Sequence, residues 1–255
     1  MVRLPVSGIE AELRPPSGAD DLLLCEAPAI DVTIAVAFAR RVGRNADGSE
    51  LDWCELPLTD LDVLLLGLRQ TELGDLIVAE AECPVAECGK KVDASFRISA
   101  FLEHHKPSQP AGVEAVPGGW YRLLDSEGEF RVPRASDMLA ATGSNDPASV
   151  LAARCTRPTD MSSRARRQVE KAMALIAPTL CDDLDSTCVE CGSPIKLRFD
   201  PQNYVLTELR ATALGIHDDV HILASAYHWR EADILALPRS RRSVYVEMVR
   251  EERGA

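Results

Sequence analysis

Positive charge is in short supply: 28 Lys and Arg face 40 Asp and Glu, leaving a formal net charge of −12. Nonspecific affinity for nucleic acid comes from concentrated Lys and Arg, so this balance argues against a chain whose main work is neutralising phosphate. Residues 1–60 hold 5 basic against 11 acidic groups, which removes a basic N-terminal arm as well. Long apolar runs are also missing. The longest, such as Val63 to Leu68, fall far short of the roughly eighteen residues needed to span a bilayer, so no membrane partner is expected. The start, MVRLPVSGIEAELR, turns polar and proline-bearing at once and does not read as an export signal. No low-complexity tract, Ser/His/Asp elbow, Walker loop or dinucleotide fingerprint is written here. Asp182, Asp183 and Asp185 lack the spacing and the glycine of a calcium loop. No catalytic centre emerges, and the expectation is a protein that is not an enzyme.

What is present is a globular composition, 46% hydrophobic and 27% charged over 255 residues, long enough for one large domain or two small ones. Ile9 to Arg14 reads as extended, Pro15 to Gly18 as a turn, and 29–41 as a helix followed by an exposed turn, Arg44 to Gly48. A clearer helix follows. Thr59, with Asp62 three residues on, has the form of a capping box; Leu61, Leu64, Leu65 and Leu68 recur at helical spacing, and Gly74 stops the run.

Eight cysteines without an export signal are thiols or metal ligands rather than a disulfide framework. Two pairs stand out. Cys83 and Cys88, then Cys188 and Cys191, are each followed by glycine and by apolar residues at +4, +6 and +8: Val92, Ala94 and Phe96 in one copy, Ile195, Leu197 and Phe199 in the other. An aromatic residue stands at +13 in both, Phe101 and Tyr204. Period-two alternation means a strand with one buried face, so this is an internal repeat of knuckle and strand. Four thiolates in two short knuckles match a closed tetrahedral zinc site with bonds of about 2.3 Å, and glycine after the second cysteine permits the tight turn. A closed four-sulfur site has no open position for water or substrate, so the Zn2+ expected on Cys83, Cys88, Cys188 and Cys191 is structural. The competing readings are four reduced cysteines without metal, or redox chemistry at Cys188-x-x-Cys191. Redox use needs a following helix, whereas Gly192-Ser193-Pro194 leads into a strand.

The fold expected is α+β and mostly helical, with a zinc-ribbon-like β element split by a long insertion and a C-terminal helical region. Its segments run 1–54, 55–102 with the first knuckle, 103–180 as the insertion, 181–202 with the second knuckle, and 203–255. Within the insertion a hairpin is expected from Trp120 to Leu124, a Ser126-Glu127-Gly128 turn, and Phe130 to Val132. Helices follow: one capped by Ser136 and ending near Gly143, one over about 148–155, and one with Val169, Met173, Ile176 and Leu180 on a stripe. Beyond Phe199, stripes at Val205, Leu206, Leu209 and Ala213, then at Val220, Leu223, Ala224 and Tyr227, are parted by Gly215, and Pro238 precedes a last helix.

Cys25, Cys54, Cys155 and Cys181 lack partner spacing and read as packing residues, Cys181 being a reserve ligand at most. His217 and His221 stand at i and i+4 as in a zinc-protease helix, but Asp218 replaces the glutamate and Tyr227 stands where a third histidine is wanted. They read as solvent-facing residues beside an acidic first turn. Arg164, Arg166 and Arg167, and Arg239, Arg241 and Arg242, read as solvated helix faces or partner contacts.

Four segments carry a family resemblance: LTDLDVLLLGLRQTELGD before the first knuckle, Ala152 to Cys155, CVECG, and ILASAYHWREADILALPRSRRSVYVEMV. Over roughly residues 55–252 the chain resembles the zinc-knuckle baseplate hub and hub-assembly proteins of T-even-type contractile-tailed phages and related contractile injection systems. Its first knuckle departs from that pattern by its four-residue spacing. The resemblance implies a non-enzymatic hub component or assembly factor with baseplate hub, spike or tail-tube proteins as partners. It would work in the bacterial cytoplasm during assembly, or in the baseplate of the virion or injection particle. The sequence is compatible with this: apolar C-terminal helices with exposed aromatic ends, Tyr227 and Trp229 or Tyr245, are suitable interface anchors. The alternative is a zinc-ribbon nucleic-acid-binding regulator using Pro238 to Val249 as a recognition helix. A hydrolase built on the His217/His221 helix is a third.

Overall fold

The computed structural model describes residues 1–124 and 128–254. Strands β1 (Val2–Arg3) and β2 (Glu10–Leu13) pair antiparallel. Helices α1 (Gly18–Glu26) and α2 (Val32–Val42) follow before β3 (Gly43–Asn45) completes this three-stranded sheet. Asp31 starts α2 by accepting hydrogen bonds from the Thr33 and Ile34 N–H groups, at 2.8 and 3.1 Å.

The centre of the molecule is α3 (Leu58–Leu73). With Val63 and Leu66 between the four periodic leucines, this segment has no polar stripe to offer water, and every residue from Thr59 to Arg69 is buried. The polar groups carried inside are therefore bonded to other elements. Asp60 accepts from the Val6 and Ser7 N–H groups, both at 2.9 Å, and ties the β1–β2 turn to the core. Thr59 Oγ1 donates to the Pro178 carbonyl at 3.0 Å, and Asp62 accepts from Gln202 Nε2 at 2.7 Å. The expected capping box is thus absent: Pro57 is the cap residue and makes no side-chain bond, because burial claims Thr59 and Asp62 for tertiary partners. Gly74 ends the helix as expected, at a φ of 87° that favours glycine.

Strands β4 (Leu76–Glu82) and β5 (Lys91–Arg97) form a hairpin, and α4 (Ile98–His104) follows directly. The next segment builds a four-stranded antiparallel sheet in the order β6 (Val113–Val116), β7 (Trp120–Leu123), β8 (Glu129–Phe130), β9 (Thr156–Arg157). Between β8 and β9 run α5 (Ala135–Ala141) and α6 (Pro147–Cys155). The Ser126-Glu127 part of the expected turn lies outside the described residues. Helix α7 (Ser163–Ile176) covers this sheet, burying Val169, Ala172 and Ile176 against Phe130 and Val132. Leu180 falls beyond its end and joins the main core instead. Asp137, not Ser136, organises the start of α5 by accepting the Arg134 N–H at 2.9 Å.

The chain then repeats its earlier pattern. Hairpin β10 (Asp182–Thr187) and β11 (Pro194–Phe199) leads into α8 (Pro201–Ala213), whose Val205, Leu206 and Leu209 lie in the main core with α3. Helices α9 (Ile216–Tyr227), α10 (Glu231–Leu235) and α11 (Arg239–Gly254) finish the fold around Leu223, Ile234, Val246 and Val249. Helix takes about 47% and strand about 20% of the chain, so the fold is mixed α/β with small sheets and helix outweighs strand.

One buried group makes stability depend on pH. Burial pushes the Asp62 carboxyl up to about 7 against the opposing Gln202 hydrogen bond, and Asp200 nearby adds to the rise. An unfolded carboxyl titrates near about 3.9, so the folded state holds an extra proton between roughly pH 4 and 7 and stability falls as pH rises through that window. Asp62→Asn keeps an acceptor for Gln202 and removes the charge. It is expected to stabilise the protein at pH 8 by up to about 4 kcal/mol and to change little at pH 4, as read by urea unfolding at the two pH values.

Candidate metal centre

Each knuckle is the loop of a hairpin. In the first, Cys83 N–H donates to the Lys90 carbonyl at 2.9 Å, while Cys88 and Gly89 N–H both donate to the Val85 carbonyl, at 2.8 and 2.9 Å. In the second, Cys188 N–H donates to the Ser193 carbonyl and Gly192 N–H to the Cys188 carbonyl, both at 2.9 Å. Gly89 and Gly192 have φ of 51° and 72°, the left-handed turn that the glycine after each second cysteine foretold. The two extra residues of the first loop are taken up before Cys88, so both loops end alike.

The hairpins bring the four sulfurs to one point. Cys83 Sγ lies 3.6 Å from Cys191 Sγ, Cys88 Sγ lies 3.8 Å from Cys188 Sγ, and all four fall within 4.8 Å of one another. A tetrahedron with metal–sulfur bonds of about 2.3 Å has edges of about 3.8 Å, so the donor set and its spacing fit a thiophilic divalent ion. The first cysteine of each copy thus approaches the second of the other, as two like units facing each other across a pseudo-twofold axis would. The rest of the repeat obeys the same relation. Val92 and Ile195, the +4 residues, are buried side by side beneath the sulfurs. Phe96 and Phe199, the +8 residues, meet edge to face at 5.0 Å; Phe101 lies 5.2 Å and Tyr204 5.6 Å from Phe199.

Cys83 and Cys188 are buried, Cys88 half-buried and Cys191 exposed. Hydrogen bonds from the Ser193 hydroxyl and N–H bring the Cys191 thiol down to about 6. Cys83 moves the other way: a backbone bond at Val85 lowers it, but burial and the neighbouring sulfurs push it up to about 12. Thiolates this close repel, so without a cation they do not all ionise; a bound cation reverses that balance and releases their protons.

Among the described residues these cysteines are the only group of three or more His, Cys, Asp or Glu side chains arranged to hold an ion. No protein family, curated protein or solved structure matches the chain. His217 and His221 are exposed on α9, and the Tyr227 ring packs tilted on Trp229 at 5.0 Å and edge-on to Tyr245 at 6.3 Å. Cys25 donates to the Ala213 carbonyl at 3.2 Å, Cys155 is buried beside Asp137, and Cys181 lies outside the sulfur cluster.

The sequence reading of Arg239 and Arg242 as solvated or partner-facing needs correction. Arg242 is buried and donates to Asp21 and Asp219, at 2.5 and 3.0 Å, and Arg239 pairs with Asp21, so both fasten α11 to α1 and α9. Arg241 alone of that cluster is exposed. Strand β10 was also missed, since DDLDST has no apolar alternation. Its acidic residues line a cleft of about 580 Å3 opposite α4, where His105 lies 3.6 Å from Asp182 and its Nδ1 2.9 Å from the Phe101 carbonyl.

The aromatic contact is what holds the two hairpins in place beneath the sulfurs. Phe199→Ala is expected to destabilise the fold by about 3–5 kcal/mol in urea unfolding and to lower metal affinity in a chelator competition. Lost stability with metal affinity unchanged would mean that the hairpins meet without it.

Proposed function

We propose that the chain is a non-enzymatic structural or assembly component of a contractile-tail baseplate hub, held together by one structural Zn2+ on Cys83, Cys88, Cys188 and Cys191. On this reading residues 55–102 and 181–202 carry the two halves of a zinc ribbon, and 103–180 is an insertion between them. The single observation that carries the metal part is the closed cluster of four sulfurs, 3.6 and 3.8 Å apart across the two hairpins. Zinc suits four thiolates in a tetrahedron, supplies no redox change, and adds its binding free energy to folding.

The baseplate part rests on the resemblance of four segments. LTDLDVLLLGLRQTELGD supplies the buried α3, CVECG the second knuckle, and the longest segment supplies α9 to α11. Baseplate hub, spike or tail-tube proteins are the partners proposed, met in the bacterial cytoplasm during assembly or in the finished particle. A nucleic-acid-binding regulator would need α11 to present its arginines. Arg239 and Arg242 are instead spent on Asp21 and Asp219, which favours the assembly reading.

Native mass spectrometry of the chain, alone and mixed with candidate hub and tube proteins, tests both parts. One zinc ion per chain, lost in Cys188→Ser/Cys191→Ser, together with a defined complex with a tail protein, is the expected result. Because the thiols must lose protons to bind, affinity should fall steeply as the pH is lowered. A metal-free chain would overturn the zinc site. Indifference to every tail protein would overturn the baseplate role, and a DNA affinity falling with salt would favour the regulator.

A further inference from the structure

The inner face of α11 is fixed by Arg242, Val246 and Val249, all buried. Its outer face carries Arg241, Val244, Met248 and Glu251, in steps of three, four and three residues, the spacing of a helix-pairing seam. Val244 and Met248 are 55% and 46% exposed and stand together in the middle of the seam. Arg241 and Glu251, both exposed, stand at its two ends. Arg241 touches only Tyr245 by hydrogen bond, at 3.4 Å along its own helix, and among the described residues neither it nor Glu251 enters an ion pair.

The order of charge, apolar pair and opposite charge is complementary to itself when reversed. If two such helices run antiparallel with their crossing at Val246, Val244 of one faces Met248 of the other, and Arg241 faces Glu251. A twofold interface repeats each contact, so both ends pair at once. We propose that this face docks a second copy of the chain, through antiparallel packing of α11 on α11. The helix is well placed for it: ion pairs to Asp21 and Asp219 and the Tyr227–Trp229–Tyr245 cluster hold α11 rigid from behind. Two 16-residue helices, each about 24 Å long, bury less than the roughly 1,200 Å2 of a standard interface, so the dimer is weak and concentration-dependent. This inference rests on α11 alone and stands or falls independently of the zinc site and the baseplate reading.

Sedimentation of the full chain, from micromolar to near-millimolar concentration, tests it. The wild type should pass reversibly from monomer to dimer, less readily at high salt. Arg241→Glu sets like charges opposite each other at both ends and should weaken association at least about tenfold; Glu251→Arg should do the same, and the double exchange should restore it. Met248→Glu should leave only monomer. All four changes are on the surface, so unchanged melting temperatures will separate lost docking from lost folding. A chain that stays monomeric throughout overturns the proposal, as does a dimer that ignores the charge exchange.

Discussion

Four sulfurs must reach one point from loops about a hundred residues apart, and most of the architecture follows from that meeting. Cys83 and Cys191 are separated by 108 residues, Cys88 and Cys188 by 100. Closing so long a loop removes several kcal/mol of chain entropy, so the sulfurs could not be assembled by short knuckles alone. What returns the chain is the apolar part of the repeat: Val92 against Ile195, and the ring of Phe96 against that of Phe199. Behind them α3 and α8 share one core, into which Phe199 at the base of the second hairpin also packs. The cluster of sulfurs at the tip and the hydrocarbon packing at the base are successive layers of the same contact.

Much of this layer was legible in the sequence. Short spacing between cysteines, glycine after the second one, and apolar residues two apart are local signals, and each maps onto a loop, a positive φ or a buried strand face. The repeat at +4 and +8 covers residues that the structure packs together, Val92 with Ile195 and Phe96 with Phe199. Illegible were features set by distant partners. Thr59 and Asp62 have the spacing of a cap, yet burial of α3 on all sides turns them toward Pro178 and Gln202. Strand β10 is written in aspartates and owes its existence to pairing with β11. Arg239 and Arg242 look like a surface cluster until α1 and α9 supply their carboxylates.

Those arginines belong to a wider habit of the fold. Asp137 is buried, yet Arg131 at 2.5 Å, the Arg134 N–H and Arg154 at 2.7 Å hold its carboxyl well below the ordinary range and draw β8, α5 and α6 together. Arg69 joins α3 to α8 through Glu208 at 2.9 Å. Asp21 gathers two arginines of α11. In each case a carboxylate from one element meets guanidinium from another, and removing one partner strands the other away from water. An acidic chain thus uses a few of its limited cations internally, to fix how its helices sit.

The segment between the two knuckles leaves the repeat just after α4 and comes back just before β10, and the two ends nearly touch: His105 and Asp182 are 3.6 Å apart. Lys106, Pro107 and Leu180 line the same recess beside α3. Between these ends the sheet and its three helices are fastened to the body a second time: Ala135 of α5 lies in the main core, and the Leu58 N–H donates to the Pro133 carbonyl at 3.0 Å. The loops that lie away from those two attachments are almost free of the geometry of the sulfur cluster, since doubling a loop that already closes adds only about 0.6 kcal/mol of entropy. Those loops are open to lengthening or trimming over evolutionary time while the knuckles stay in register and α5 keeps its place in the core.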